Sequence, residues 1–181
     1  MTGLFALYDR LASRLAGLLP CLLPLLARFT FAAVLSRYFW TSAQTKLGAG
    51  FFGFLHPSDG AYIQIFPRAV EAAGYDVSRL TAFHWAVVTA GTLTELTLPL
   101  LIVLGLFTRA AAFGMIGFTV AQSLTDIWGH GVAGDDLGRW FDAAPGSLIV
   151  DQRSLWVLLL LTLVFTGAGP LALDRVLDRL R

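Results

Sequence analysis

The chain has 181 residues, of which 56% are hydrophobic and 14% are charged, and this composition excludes an ordinary water-soluble domain. A formal net charge of +1, without a basic stripe or a stacking-aromatic motif, excludes nucleic acid as a partner. Because Cys21 is the only cysteine, an intramolecular disulfide and a thiolate zinc site are excluded as well. Any redox role must therefore draw on a cofactor or a partner protein.

Residues 1–20 are predicted to form an amphipathic helix that lies in the membrane interface. In the helical projection, Asp9, Arg10 and Ser13 lie opposite a stripe of leucines. The stripe consists of Leu4, Leu7, Leu11, Leu15 and Leu18. Such a helix buries its apolar side at the lipid headgroups, so the bilayer is an expected partner. We expect Pro20 to end this helix or to bend it sharply before the first apolar segment.

Four segments are each apolar over roughly 18 or more residues, the length that a helix needs to cross about 30 Å of hydrocarbon. They are residues 22–46, 80–107, 110–127 and 154–171. The prediction is an all-α protein in which residues 21–174 form an integral membrane four-helix bundle. No internal repeat of the kind found in transporters with two inverted halves is present in the sequence.

Arginines next to the apolar segments predict the orientation in the membrane. They are Arg10 and Arg14 before the first segment, Arg109 between the second and the third, and Arg175, Arg179 and Arg181 after the fourth. Because short flanks rich in Lys and Arg stay in the cytoplasm, both termini are expected there, with residues 175–181 as a cytoplasmic tail. The two long loops, residues 47–79 and 128–153, are then expected on the outer side.

Glu95 lies inside the second apolar segment, where an unpaired carboxylate costs several kcal/mol. At 1.5 Å per residue, Glu95 and Gln122 lie about 21 and 20 Å from Arg109, and Arg37 lies about 22 Å from the start of the first segment. We therefore expect Arg37 to pair with Glu95, and Gln122 to complete the hydrogen bonding of the carboxylate. Such a pair would either hold a ligand or fix the register of the helices, and the sequence leaves both roles open.

Arg28 and Lys46 lie near the two ends of the first segment, on the helix face opposite to Arg37. Long cationic side chains near helix ends can extend to the lipid headgroups, so neither residue needs to enter the bundle. Arg37 is too far from either end for this, which is why the depth argument selects it as the partner of Glu95.

Three further polar residues are candidates for the same site. His84 is eleven residues before Glu95 and lies on the same helix face, which either lines a polar cleft or, as we favour, packs closely against another helix. In the third segment, Asp126 and His130 are four residues apart and so have the spacing of two metal ligands. Because glycines flank His130 on both sides, the signal is weak and no metal site is expected.

The middle and the end of the chain carry two motifs. Glu95 is followed by Leu-Gly-Leu-Phe-Thr-Arg at 104–109, and Gly-Ala-Gly-Pro-Leu-Ala-Leu-Asp occupies 167–174. These motifs resemble the DoxX family, whose members have four membrane helices, an Arg early in the first and a Gly-x-x-Lys near its end. The resemblance makes Arg28 the counterpart of the family Arg, whereas the depth argument favours Arg37, and Ala43 stands in place of the Gly before Lys46.

The resemblance implies a multi-pass protein of the bacterial inner membrane, linked to quinone-dependent sulfur oxidation, to redox-stress complexes or to copper-peptide maturation. We expect a subunit or accessory factor that holds a quinone or another small polar ligand and works with a partner membrane or periplasmic protein. The candidate site residues are Arg37, Lys46, His84, Glu95, Gln122 and Asp126. The alternatives are a small transporter or channel and a scaffold that docks a partner through its outer loops. Whether the protein is an enzyme stays open.

Overall fold

A computed structural model describes residues 2–180, and all regular structure within them is helical. The all-α prediction is therefore confirmed. In chain order the elements are α1 (Thr2–Thr30), a first π segment (Phe31–Ser36), α2 (Arg37–Lys46), α3 (Asp59–Ile65), α4 (Pro67–Ala72), a 3-10 turn (Val77–Arg79), α5 (Ala82–Leu104), α6 (Thr108–Leu124), a second π segment (Thr125–Gly129), α7 (Val150–Thr166) and α8 (Leu173–Arg179).

α1, the first π segment and α2 follow one another without a break and form one long rod. Pro20 and Pro24 both lie inside α1, so Pro20 does not end this helix, and the alternative of a sharp bend at Pro20 stays a prediction. A proline removes one backbone hydrogen bond, a loss that long apolar helices tolerate. Residues 3–20 are exposed along their whole length. Their location in the membrane interface stays a prediction.

Three rods are long and apolar enough to cross a membrane, namely Gly3–Lys46, Ala82–Leu104 and Thr108–Gly129. The fourth predicted segment corresponds to α7, which has 17 residues and ends at Thr166 because Gly167 takes φ 79° and ψ −158°, outside the helical region. This helix is shorter than the other three rods, and a fourth crossing stays a prediction. The expected orientation, with both termini in the cytoplasm, also stays a prediction.

The rods pack in a ring, in which α2 contacts α5, α5 contacts α6, α6 contacts α7, and α7 contacts α1. Phe31, Leu35 and Phe39 of the first rod point into the ring at intervals of four residues and are fully buried. The wider turn of the π segment keeps these three on one face. They pack against Met115, Leu160 and other apolar side chains of the neighbouring helices. The half of the ring near the ends of α5 and α7 is therefore filled by an apolar core.

The segment between α2 and α5 folds over the other half of α5. Ala61 and Tyr62 of α3 and Val70 of α4 pack around Val88 of α5. The ring nitrogen of Trp85 donates a hydrogen bond to the Leu55 carbonyl at 2.9 Å. Burial, and secondarily the nearby Asp59 carboxylate, raises the pKa of Tyr62 above its ordinary value. This loop brings α3 against the polar region described next.

Candidate functional site

Glu95 forms a buried ion pair with Lys46. The Lys46 Nζ atom lies 2.8 Å from Glu95 Oε2 and 3.1 Å from Oε1, and the two side chains are only 5% and 3% exposed. The Ser42 hydroxyl donates to Glu95 Oε1 at 3.2 Å, while Lys46 donates to Ser42 Oγ at 2.7 Å. The carboxylate thus has a cation and a hydroxyl as partners, as a buried charge requires.

The predicted pairing of Arg37 with Glu95 is therefore wrong. Because side chains of an α-helix point back towards its N-terminus, Lys46 reaches down along α2 to the level of Ser42, where it meets Glu95. Lys46, which could also have extended to the headgroups, therefore enters the bundle. Arg37 lies on the exposed side of α2 and has no hydrogen bond or ion pair within residues 2–180.

Gln122 does not contact Glu95, so its predicted role as the second partner of the carboxylate is also wrong. Its Nε2 atom donates to the hydroxyl of Tyr38 at 2.7 Å. Its Oε1 atom is buried and has no hydrogen-bond partner among the described residues. A buried amide oxygen without a donor is costly, and such an atom in a native fold calls for a physical explanation.

These side chains share a cavity of about 480 Å³ between α2, α5 and α6. Lys46, Glu95, Gln122 and Asp126, four of the six candidates, line it, whereas Arg37 and His84 do not. The complete lining is Tyr38, Ser42, Lys46, Gln64, Ile65, Val87, Ala90, Gly91, Thr94, Glu95, Phe118, Ala121, Gln122, Thr125, Asp126 and His130. The polar side chains lie at about the same depth in the ring, and apolar side chains form the walls beside them. Small-molecule sites commonly have this combination of apolar walls and a few polar groups.

A second ion pair borders the cavity. Arg153, in the first turn of α7, donates to the Asp126 carboxylate and, at 3.0 Å, to the Ser123 hydroxyl. The sequence analysis missed Arg153 because it placed this residue in the loop before the fourth segment, whereas α7 begins at Val150. Arg153 lies next to the fourth apolar segment at about the depth of Asp126 in the third. This correspondence in depth is the signal from which the pair could have been predicted.

His84 has a local role outside the cavity. Thr81, at the N-cap of α5, donates its backbone N–H to His84 Nδ1 at 3.2 Å, and the Thr81 hydroxyl lies 2.8 Å from the same atom. This reciprocal arrangement is a capping box. The imidazole also packs edge-on against Phe66, so His84 itself has a packing role, whereas Gly91 and Glu95 of the same helix face line the cavity.

His130 does line the cavity, and its Nε2 atom lies 2.9 Å from the Gln64 carbonyl oxygen. It links the second π segment to α3. Within residues 2–180, no three His, Cys, Asp or Glu side chains come together as metal ligands. Asp126, its suggested companion ligand, is instead held by Arg153.

Arg28 makes a different kind of contact at the far end of the ring. Its guanidinium donates to the carbonyls of Ile102 and Ala168 at 3.0 Å each and also to those of Val103 and Leu171. The Arg28 side chain therefore enters the bundle and does not extend to the headgroups. Gly105 at φ 69° lies so close that a Cβ atom there would be 2.8 Å from the guanidinium carbon of Arg28.

Residues of both motifs gather around this end of the ring. Asp174 accepts hydrogen bonds from the backbone N–H groups of Phe107 and Thr108, at 2.7 and 3.1 Å, at the start of α6. Arg109 donates to the Val164 carbonyl of α7 at 3.0 Å. Apart from Glu95, the motif residues therefore join helix ends and do not line the cavity.

The chain matches no family model, no curated protein and no solved structure. The resemblance to the DoxX family thus stays a prediction that rests on the residues quoted above.

Proposed function

We propose that the protein is a DoxX-like subunit or accessory factor of a redox or maturation system in a bacterial inner membrane, and that its cavity binds a small molecule with a polar headgroup. The cavity volume of about 480 Å³ lies within the range of about 300 to 1,000 Å³ that is usual for small-molecule sites. The observation that carries the proposal is this cavity itself, in which the buried Lys46–Glu95 ion pair and the side chain of Gln122 lie beside apolar walls.

The lining favours a flat ligand that bears oxygen atoms. A hydroxyl group on the ligand would donate to Gln122 Oε1, and a carbonyl oxygen would accept from the hydroxyl of Tyr38 or Thr94. Phe118 and Val87 offer apolar surface to a ring. A quinone headgroup, which alternates between carbonyl and hydroxyl forms, combines these properties.

The ion pairs support a binding role better than a catalytic one. Lys46 and Glu95 neutralise each other and already share their hydrogen bonds with Ser42. Electrons would have to come from a partner protein, because a single cysteine offers no dithiol. The cavity would therefore hold the ligand while a partner membrane or periplasmic protein acts on it.

The two π segments add to this argument because both adjoin the cavity. Tyr38 lies two residues after the end of the first one, and Thr125 and Asp126 belong to the second. π-Helical turns are uncommon and frequently occur at functional sites, where they reposition the side chains that follow.

The test is a titration of the purified full chain, in a mild detergent, with a short-chain ubiquinone. Trp40 donates to the Leu96 carbonyl next to Glu95, and its fluorescence reports binding nearby. We expect saturable quenching, weakened at least tenfold by Gln122→Leu. The matched control is Gln152→Leu, the same change at an exposed position on α7. Absence of saturable binding, or equal affinity in the two variants, would reject the proposal.

A transporter or channel is the second candidate, since two ion pairs border one cavity. The apolar core around Phe31, Phe39 and Met115 argues against it, because this core fills the ring between the cavity and Arg28. Solute or proton flux through the purified protein in lipid vesicles, without any partner, would favour the transporter instead.

A further inference from the structure

Arg37 lies midway between the two buried cations of the first rod. It lies nine residues after Arg28, which is bonded to the ends of α5 and α7, and nine residues before Lys46, the last residue of α2. At 1.5 Å per residue it is about 14 Å along the helix from each of them. A charged group at this depth needs a partner, because extension to the headgroups serves residues near helix ends.

The other cations in the part of the rods that packs as a ring are engaged within the chain. Lys46 and Arg153 pair with carboxylates, and Arg28 and Arg109 donate to backbone carbonyls. Within this ring Arg37 is the exception, since it is exposed and has no hydrogen bond or ion pair with the described residues, whereas Arg10 and Arg14 lie outside the ring in the exposed residues 3–20. The guanidinium of Arg37 therefore faces outward from the ring into the space that lipid or another protein occupies.

The surface around Arg37 is also unusual for a face that meets only lipid. Ala33, Thr41 and Gln44 are exposed, and they follow the four- and three-residue spacing that places them on the same side of the helix as Arg37. Small and hydroxyl-bearing or amide side chains are typical of contacts between helices within a membrane, where they allow close approach and hydrogen bonds. We call these four residues the Arg37 face.

We propose that the Arg37 face docks a membrane helix of a different polypeptide, which carries an Asp or Glu at mid-membrane depth and pairs it with Arg37. Charge complementarity selects this occupant. A second copy of the chain would have to offer an acid of its own rods, and Glu95 and Asp126 are already bound to Lys46 and Arg153, while Asp9 lies in residues 3–20, outside the part of the rod that packs in the ring. The inference rests on the proposed role as a subunit, but it does not depend on the cavity ligand.

The test uses the full chain expressed in its native host membrane, with a photoreactive benzophenone side chain in place of Thr41. A second protein carries the same group in place of Phe165, an exposed residue of α7 that serves as the matched control. We expect the first position alone to cross-link to a polypeptide whose attached peptide is an apolar segment containing Asp or Glu. Cross-links to lipid only, to a second copy, or to a helix without an acid would overturn the proposal.

Charge exchange then tests the pair itself. Arg37→Glu should lower the cross-linking yield at least tenfold, and replacing the partner's acid by Arg should restore it. Unchanged yield with Arg37→Glu, or no rescue by the partner variant, would overturn the proposal.

Thermal stability and quinone titration of the isolated Arg37→Gln variant should match those of the unmodified chain. A failure of the quinone titration alone therefore rejects the cavity proposal and leaves the docking result intact.

Discussion

Arg28 and Lys46 are buried cations on the same rod, yet they are satisfied in different ways. Arg28 is bonded to the carbonyls of Ile102 and Val103 at the end of α5 and to that of Ala168, just after α7, where helix ends leave carbonyls to be satisfied. Lys46 is bonded to a carboxylate at the edge of a cavity. Arg28 thus connects the ends of helices, whereas Lys46 holds Glu95 in the wall of the cavity.

The difference indicates which polar residues of a membrane helix serve the fold and which serve a ligand. Around Arg28 the packing leaves no room even for a Cβ atom on Gly105, and the hydrogen-bonding groups are matched. Around Lys46 an amide oxygen of Gln122 remains unmatched beside about 480 Å³ of space. Substitutions in the first region should therefore affect stability alone, and those in the second should separate stability from binding.

The largest effect is expected from Lys46→Met, which leaves Glu95 buried without its cation. We expect a loss of about 3 to 5 kcal/mol in stability, seen as a strong decrease in the thermal midpoint in detergent. The double variant Lys46→Met with Glu95→Gln should regain most of this stability, because no unpaired charge remains. If Lys46→Met alone is as stable as the unmodified chain, the ion pair does not hold the helices together.

Arg28→Met should have the next largest effect, about 3 kcal/mol, because several backbone carbonyls lose a charged donor. Arg28→Lys should be intermediate, since an ammonium cannot reach all of these carbonyls at once. The quinone affinity of the folded fraction should not change in either variant. Weaker binding with full stability would place Arg28 in the site and remove the contrast with Lys46.

Asp174→Asn should cost about 1 kcal/mol, because the carboxylate accepts from two backbone N–H groups at the positive end of α6. Asp178→Asn, on the exposed side of α8, is the matched control and should stay within about 0.5 kcal/mol of the unmodified chain. Thermal unfolding in detergent compares the two. Equal effects would show that the cap contributes nothing to stability.

The smallest effect on stability is expected from Gln122→Leu, which removes an unmatched buried oxygen along with the hydrogen bond to Tyr38. We expect the thermal midpoint to change by no more than the equivalent of about 1 kcal/mol, in either direction. Quinone binding should nevertheless be lost. A large decrease in stability would assign Gln122 to the fold and weaken the case for a ligand.

The helical architecture and the importance of Glu95 could be predicted from the sequence. Long apolar segments restrict the backbone to helices, and an acid inside one of them stands out against its neighbours. The sequence also predicts that Gln122 lies at the depth of Glu95, and both residues line the cavity. Both predictions follow from the rise of an α-helix per residue and from the number of residues that separate two positions in the sequence.

The partner of Glu95 could not be predicted in the same way. Depth counting assigns a side chain to the level of its own Cα, but the long chain of Lys46 turns back by one helical turn to Ser42. The first π segment also has a wider turn than an α-helix, so it changes the angular position of the residues after it relative to those before it. A projection on an ideal α-helix does not include this change. Both effects depend on packing, and a single sequence does not reveal them.

The first rod has 44 residues, which at 1.5 Å each amounts to about 66 Å, roughly twice the thickness of the hydrocarbon layer. With Arg28 bound at one end of the ring and Lys46 near the other, the excess length is on the side of residues 3–20. Water would then surround leucines such as Leu4, which is 75% exposed. Removing this apolar surface from water is favourable. The hydrophobic effect therefore favours binding of residues 3–20 to a bilayer or to a neighbouring molecule.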